Sequence, residues 1–169
     1  GVQTCALPIY KKINILEIGS FEGKSTIFFL TFFKESHIYC VDTWLGSNEL
    51  NNHNFNQIEK IFDSNTQNFS SRITKCKMSS NFFFKEKKNL EFDLIYIDGS
   101  HYYKQVYRDA INAFKILKTN GLLIFDDFLF RFYKKIHLNP IGAINKFLKK
   151  NNNKIKIKAI YRQLVISKN

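Results

Sequence analysis

Residues 13–42 set out a strand, a glycine-punctuated turn, a helix and a second strand, and this order constrains the fold more than any other stretch. Ile13, Ile15, Leu16 and Ile18 form the apolar run of a strand buried in a parallel sheet. The run closes in Glu17-Ile18-Gly19-Ser20-Phe21-Glu22-Gly23. Gly23-Lys24-Ser25-Thr26 then opens an apolar helical segment over residues 27–33. Residues 37–41 read as the second strand, ending on Asp42. Glycine lets a backbone come close to a ligand, and a helix N-terminus offers free N–H groups. The unit therefore predicts a cradle for a nucleotide-type cofactor. Asp42, about 20 residues beyond the turn, stands where a carboxylate takes ribose hydroxyls.

The loop departs from the dinucleotide pattern. A pyrophosphate is admitted by G-x-G-x-x-G, whereas this chain has Glu-x-Gly-x-x-x-Gly. A carboxylate at Glu17 repels a pyrophosphate and suits a cationic amino-acid portion. Further along, Phe92-Asp93-Leu94-Ile95-Tyr96-Ile97-Asp98 reads as a strand ending in an acid, followed by Gly99-Ser100-His101-Tyr102-Tyr103. Val106, Ala110, Ala113, Phe114 and Leu117 have helical spacing. Lys118-Thr119-Asn120-Gly121 stops that helix, with Gly121 as its breaker. Residues 122–125 form the next strand, which ends on Asp126-Asp127.

The ordered set Glu-Ile-Gly-Ser, Val-Asp-Thr-Trp, Ile-Asp-Gly-Ser-His and Gly-Leu-Leu-Ile-Phe-Asp-Asp resembles the class I S-adenosylmethionine-dependent methyltransferases. It resembles in particular the methyltransferase-24 branch, related to the metal-dependent sugar O-methyltransferases of macrolide biosynthesis. The resemblance covers nearly all of residues 13–169. It implies an α/β fold of Rossmann-like, doubly wound type, with a mostly parallel seven-stranded sheet and helices on both faces. It also implies S-adenosyl-L-methionine as cofactor, Mg²⁺ as metal, and a small-molecule or sugar hydroxyl as methyl acceptor. The cofactor residues it implies are Glu17, Gly19, Ser20, Gly23, Ser25, Asp42, Trp44, Ser79, Ser80 and Asp98.

Transfer to oxygen needs a deprotonated acceptor aligned with the methyl group and sulfur. A divalent metal lowers the acceptor's pKa and fixes its orientation, and Mg²⁺ takes carboxylate oxygens. Asp98, Asp126 and Asp127 end two strands that this fold makes neighbours, and they are the expected ligands. His101, three residues after Asp98, is the general base that the resemblance implies, a role that imidazole suits because it titrates near neutral pH. Plainer readings stand beside these. Asp98 suits a helix N-cap, Asp126-Asp127 a solvated turn, and His101 a helix start. Ser79 and Ser80 suit a cap, and Trp44 either stacks on an adenine or plugs a crossover. His37, His53 and His137 have no comparable context.

Residues 10–169 are expected to form a single domain. Residues 1–9 read like a translated sequencing adapter, without the Lys, Asn and Phe that crowd the rest. The expectation is that the native start lies upstream. Resequencing the junction from source DNA tests this, and finding those codons in the intact genome would refute it. Cys5, Cys40 and Cys76 form no C-x-x-C pair, which points to a reduced, cytoplasmic setting. No apolar run approaches the roughly 18 residues of a membrane span. The net charge of +12 invites a nucleic-acid reading. However, Lys, Asn, Ile and Phe are enriched together, as AT-rich codons produce. Two rivals follow: an RNA methyltransferase using the basic surface, and a cofactor-binding protein without catalysis.

The remaining expectations concern the frame. They are a helix over residues 57–62, a strand over 73–78, an aromatic basic loop over 128–137 at a substrate entrance, and a helix over 141–149 begun by Pro140. After the turn at Asn151-Asn152-Asn153, Ile155, Ile157 and Ala159 alternate with lysines, as in a half-buried strand. Residues 163–167 supply a last strand, which the resemblance implies is the antiparallel seventh strand of the sheet.

Overall fold

The computed structural model describes residues 11–46, 55–131, 133–135 and 138–169. The adapter-like residues 1–9, His53 and His137 lie outside the described residues. In chain order the elements are β1 (Ile13–Ile18), α1 (Lys24–Phe32), β2 (Ser36–Asp42), α2 (Phe55–Thr66), β3 (Ile73–Lys77), α3 (Ser80–Glu86) and β4 (Phe92–Ile97). They continue with α4 (Tyr103–Ile116), β5 (Leu117–Phe125), α5 (Pro140–Lys150), β6 (Ile155–Ile160) and β7 (Leu164–Lys168). The seven strands form one sheet in the order β3-β2-β1-β4-β5-β7-β6. Strands β1 to β5 pair in parallel, and β7 runs antiparallel between β5 and β6. This is the Rossmann-like, doubly wound arrangement that the motif order implies.

Strand periodicity sorts the core into two layers. Ile13 and Ile15 of β1 pack with Phe29 and Leu30 of α1 and with Ile58 and Phe62 of α2. Leu16 and Ile18 face the other way, onto Phe83 of α3, Val106 and Ala110 of α4, and Phe147 of α5. Burying each large side chain of this kind stabilises the fold by about 1.5–3 kcal/mol. Both faces of the sheet are thus covered, which is why β1 and β4 are almost continuously apolar.

The connections change direction between β1 and β4, where Ile18 lies opposite Ile97. Just beyond, Gly19 N–H donates to Val41 O at 2.9 Å and Asp98 N–H to Ile18 O at 2.8 Å. This switch point opens the crevice in which ligands bind in such sheets.

Three local expectations differ from what forms. Helix α4 ends at Ile116, and Leu117 already pairs with Phe92. Asn120, at φ 63°, takes the left-handed turn instead of Gly121, because asparagine tolerates that region. Helix α2 runs well past residues 57–62. Strand β6 is exposed: Ile157 is 48% and Ile160 59% accessible. It is the sheet's edge, and a register shift between Ile157 and Ala159 breaks its alternation. Its lysines suit such an edge. Pro140 does open α5 as expected. Among the described residues no helix is long and apolar enough to cross a membrane.

Candidate active site

Gly19 stands at the tightest point of the crevice. Its φ is +89°, and a Cβ placed there would lie 2.0 Å from the Asp98 carbonyl oxygen. Only glycine allows β1 and β4 to approach so closely. Gly23 is also left-handed, at φ +85°, and its N–H donates to Ser20 O at 2.7 Å, closing the loop before α1.

Glu17 is wholly buried beneath this loop. Strand alternation puts it on the face of Ile13 and Ile15, under α1, where its Oε2 accepts from Thr26 Oγ1 at 2.5 Å. Burial raises its carboxyl above the ordinary range, with neighbouring hydroxyls acting the other way. Glu17 Oε1 and Ser20 Oγ are buried without a hydrogen-bond partner among the described residues. Glu17, Ser20, Gly23 and Ser25 lie outside the wall of the adjoining cavity.

That cavity, of about 470 Å³, is lined by Gly19, Asp42, Trp44, Ser79, Ser80 and Asp98, and reaches His101 and Asp127. Asp42 ties two loops together: Oδ2 accepts from Phe21 N–H at 2.9 Å and Oδ1 from Trp44 N–H at 2.8 Å. Trp44 stands between the cavity and the core. It lines the cavity, yet its indole is buried, 5.0 Å from the Phe62 ring, with Nε1 donating to Phe21 O at 2.9 Å. Ser79 caps α3, accepting from Phe82 N–H at 3.3 Å.

Gln105 and Asp109 are among the lining residues that escaped the sequence reading. Gln105 Nε2 donates to Ser80 Oγ at 3.1 Å and to Asp109 Oδ1 at 2.9 Å. Asp109 is buried, and burial pushes its carboxyl up to about 6. The available signal was an acid on the apolar stripe of α4, adjacent to Ala110 and one turn before Ala113.

Across the mouth, Asp98, His101 and Asp127 present ligand atoms within 4.8 Å of one another. His101 Nε2–H donates to Asp127 Oδ2 at 2.6 Å, and the Phe130 ring lies 4.3 Å from the imidazole. Burial, then the charges of Asp126 and Asp127, push the Asp98 carboxyl up to about 8. Burial also acts to raise Asp127, but His101, Asp98 and Arg162 outweigh it and hold that carboxyl below its usual range. Asp126 is absent from the cluster; its Oδ1 accepts from Gln163 Nε2 ahead of β7. Adjacent residues past a strand end diverge, so Asp126 and Asp127 point to different partners. The cap reading of Asp98 is not realised, since Tyr102 occupies the N-cap of α4. Two close carboxylates beside an imidazole fit a divalent cation, whose charge would offset their repulsion.

A second cavity, of about 660 Å³, lies on the far side of Asp126 and Asp127. Its walls come from Leu129 to Arg131 and from the β6–β7 turn around Tyr161 and Arg162. Asp127 lines both cavities.

The family model described as a methyltransferase domain, of the methyltransferase-24 type, matches residues 16–128. The chain therefore belongs to the methyltransferase-24 branch of the class I S-adenosylmethionine-dependent methyltransferases. No curated protein matches the sequence significantly. Among solved structures, the MycE methyltransferase from the mycinamycin biosynthetic pathway, in complex with Mg and SAH, superposes with a TM-score of 0.64 at 14% identity. The match covers 94% of this chain but 46% of MycE, so the chain spans about half of that protein. A Staphylococcus aureus protein described as a caffeoyl-CoA O-methyltransferase gives 0.66 at 16% identity, covering 92% of this chain and 75% of that one. Aeropyrum pernix fibrillarin with bound S-adenosyl-L-methionine gives 0.65 at 15%, covering 95% and 68%. At these identities the likeness is one of fold.

Proposed function

We propose that the chain transfers a methyl group from S-adenosylmethionine to a hydroxyl oxygen of a small molecule or sugar, with Mg²⁺ held at Asp98 and Asp127. The carrying observation is that Asp98, His101 and Asp127 converge at the mouth of the cavity walled by Gly19, Asp42 and Trp44. That cavity's size suits a cofactor of this kind. When bound, S-adenosylmethionine supplies an electrophilic methyl: the acceptor oxygen gives an electron pair to the methyl carbon, and the carbon–sulfur pair returns to sulfur. A cation at the two carboxylates would lower the acceptor's pKa.

The chain's own residues divide the remaining work. Asp42 offers its further lone pairs to ribose hydroxyls, while Trp44, Ser79 and Ser80 bound the base. Gly19 and Asp98 receive the amino-acid end. Glu17, Ser20, Gly23 and Ser25 shape the turn from below. Asp127 accepts from His101 Nε2–H and so orients the imidazole that would take the acceptor's proton. Asp126, bonded to Gln163, adds negative charge beside the pair. The free buried thiols of Cys40 and Cys76 fit a reducing cytoplasm.

The test is Asp127→Ala. Turnover should fall at least about 100-fold, while affinity for S-adenosylhomocysteine stays within about threefold. Equal loss of both would refute the metal and base assignment. A second reading, RNA as acceptor, is favoured by the likeness to fibrillarin and by the net charge of +12. It requires acceptor binding that weakens steeply with salt, which a neutral small molecule would not show.

A further inference from the structure

The second cavity has chemistry that the methyl-transfer reading leaves unused. Its wall combines the carboxylates of Asp126 and Asp127, the guanidinium groups of Arg131 and Arg162, and the apolar side chains of Leu129, Phe130 and Val165. The arginines are informative because the chain has so few. Only four of its 26 basic residues are arginine. Arg72 is spent on the fold, donating to the carbonyls of Leu30, Phe33 and Lys34 at 2.8–3.1 Å. Two of the other three face this one cavity. Neither makes a hydrogen bond or ion pair among the described residues, and both are exposed. A guanidinium fork matches carboxylate or phosphate geometry in a way that lysine does not.

The support around Arg162 is ordered. Tyr161 N–H donates to Gln163 O at 2.9 Å, and the Gln163 side chain is fastened to Asp126. The turn bearing Arg162 is thus tied to the end of β5, next to the acid cluster. Leu129, Phe130 and Tyr161 are 51%, 37% and 79% accessible, a set of large apolar groups flanking the cations. Such walls suit an apolar or aromatic body.

Electrostatics sets the orientation. An anionic group is repelled by Asp126 and Asp127 and drawn to Arg131 and Arg162, which leaves a neutral hydroxyl to meet Asp127. We propose that this cavity is the acceptor site and takes a small hydroxylated molecule with an apolar body and an anionic group, carboxylate or phosphate, held by Arg131 and Arg162. The proposal rests on the methyltransferase reading above and adds the class of acceptor.

The test is calorimetric titration of the Mg²⁺- and S-adenosylhomocysteine-loaded protein with matched probes. The carboxylate arm is 3,4-dihydroxybenzoate against catechol, and the phosphate arm is glycerol 3-phosphate against glycerol. In at least one arm the anion should bind about tenfold or more tightly than its neutral partner. Arg131→Gln combined with Arg162→Gln should erase that preference and leave S-adenosylhomocysteine affinity unchanged. The arm that shows the preference identifies the anion. Equal binding of anion and neutral partner in both arms, with the cofactor product still bound, overturns the acceptor class and leaves methyl transfer standing. Failure of S-adenosylhomocysteine to bind at all removes the underlying reading. A short RNA oligonucleotide that binds more tightly than every probe, and loses affinity in the double variant, assigns the cavity to RNA and also overturns the proposal.

Discussion

Gly19→Ala is the most demanding perturbation of this fold. The new Cβ would sit 2.0 Å from the Asp98 carbonyl oxygen, 2.6 Å from its carbon and 2.8 Å from Gly99 Cα. All three are backbone atoms, so no side chain can swing aside. An L-residue in the left-handed region costs about 1–2 kcal/mol, and forcing packed backbone apart costs about 1–3 kcal/mol. The sum is about 2–5 kcal/mol, or a fall in Tm of roughly 4–20 °C for a chain of this size. Separation of β1 from β4 also displaces Asp98, so affinity for S-adenosylhomocysteine should fall with stability. Gly99→Ala is the matched control: its Cβ would meet Ile18 Cγ2 at 3.4 Å, without positive φ, and should cost under about 1 kcal/mol. Urea denaturation and calorimetric titration of both variants decide the matter. A Gly19→Ala protein as stable as Gly99→Ala would refute the argument from close approach.

Two further predictions concern buried carboxyls. Burial holds Asp109 at about 6 against an ordinary value of 3.8, so between these values the folded state binds its proton more tightly than the unfolded chain. Its contribution is therefore greatest in acid and is lost as pH rises through about 6; between pH 5 and 7 that amounts to about 1 kcal/mol. Urea denaturation at both pH values should show wild type losing this much relative to Asp109→Asn, and parallel behaviour would contradict it. Thr26→Val removes the donor to Glu17 Oε2 and should destabilise by about 1–3 kcal/mol. Addition of Glu17→Gln should recover part of that loss, and additive losses would count against a buried charge at Glu17.

Where periodicity and motif spacing act directly on the backbone, the sequence was a sufficient guide. The apolar runs at Ile13, Ile38 and Leu94, the glycine turn and Pro140 follow from local physics, whereas the antiparallel direction of the last strand came from the family resemblance. Side-chain direction was harder to read. Glu17 shares parity with Ile13 and Ile15, so its burial under α1 was implicit in strand alternation although the motif suggested a cofactor contact. Asp126 and Asp127 are adjacent in the chain, but only tertiary packing decides that Asp127 meets His101 and Asp126 meets Gln163. Strand β6 carried a half-buried pattern, but whether a face is covered depends on position in the sheet, and β6 falls at the edge. Asp109 and Gln105 reach the cavity from a helix that hydrophobic spacing marked only as core.

The most direct test of the account is a thermal titration of the intact chain with S-adenosylhomocysteine, with and without Mg²⁺. At about 100 times its Kd the ligand should stabilise by roughly 2.7 kcal/mol, or roughly 5–11 °C. Mg²⁺ should add to that shift in wild type and not in Asp127→Ala. Absence of any shift with S-adenosylhomocysteine would contradict the cofactor site, and a shift indifferent to Mg²⁺ would contradict the metal at Asp98 and Asp127.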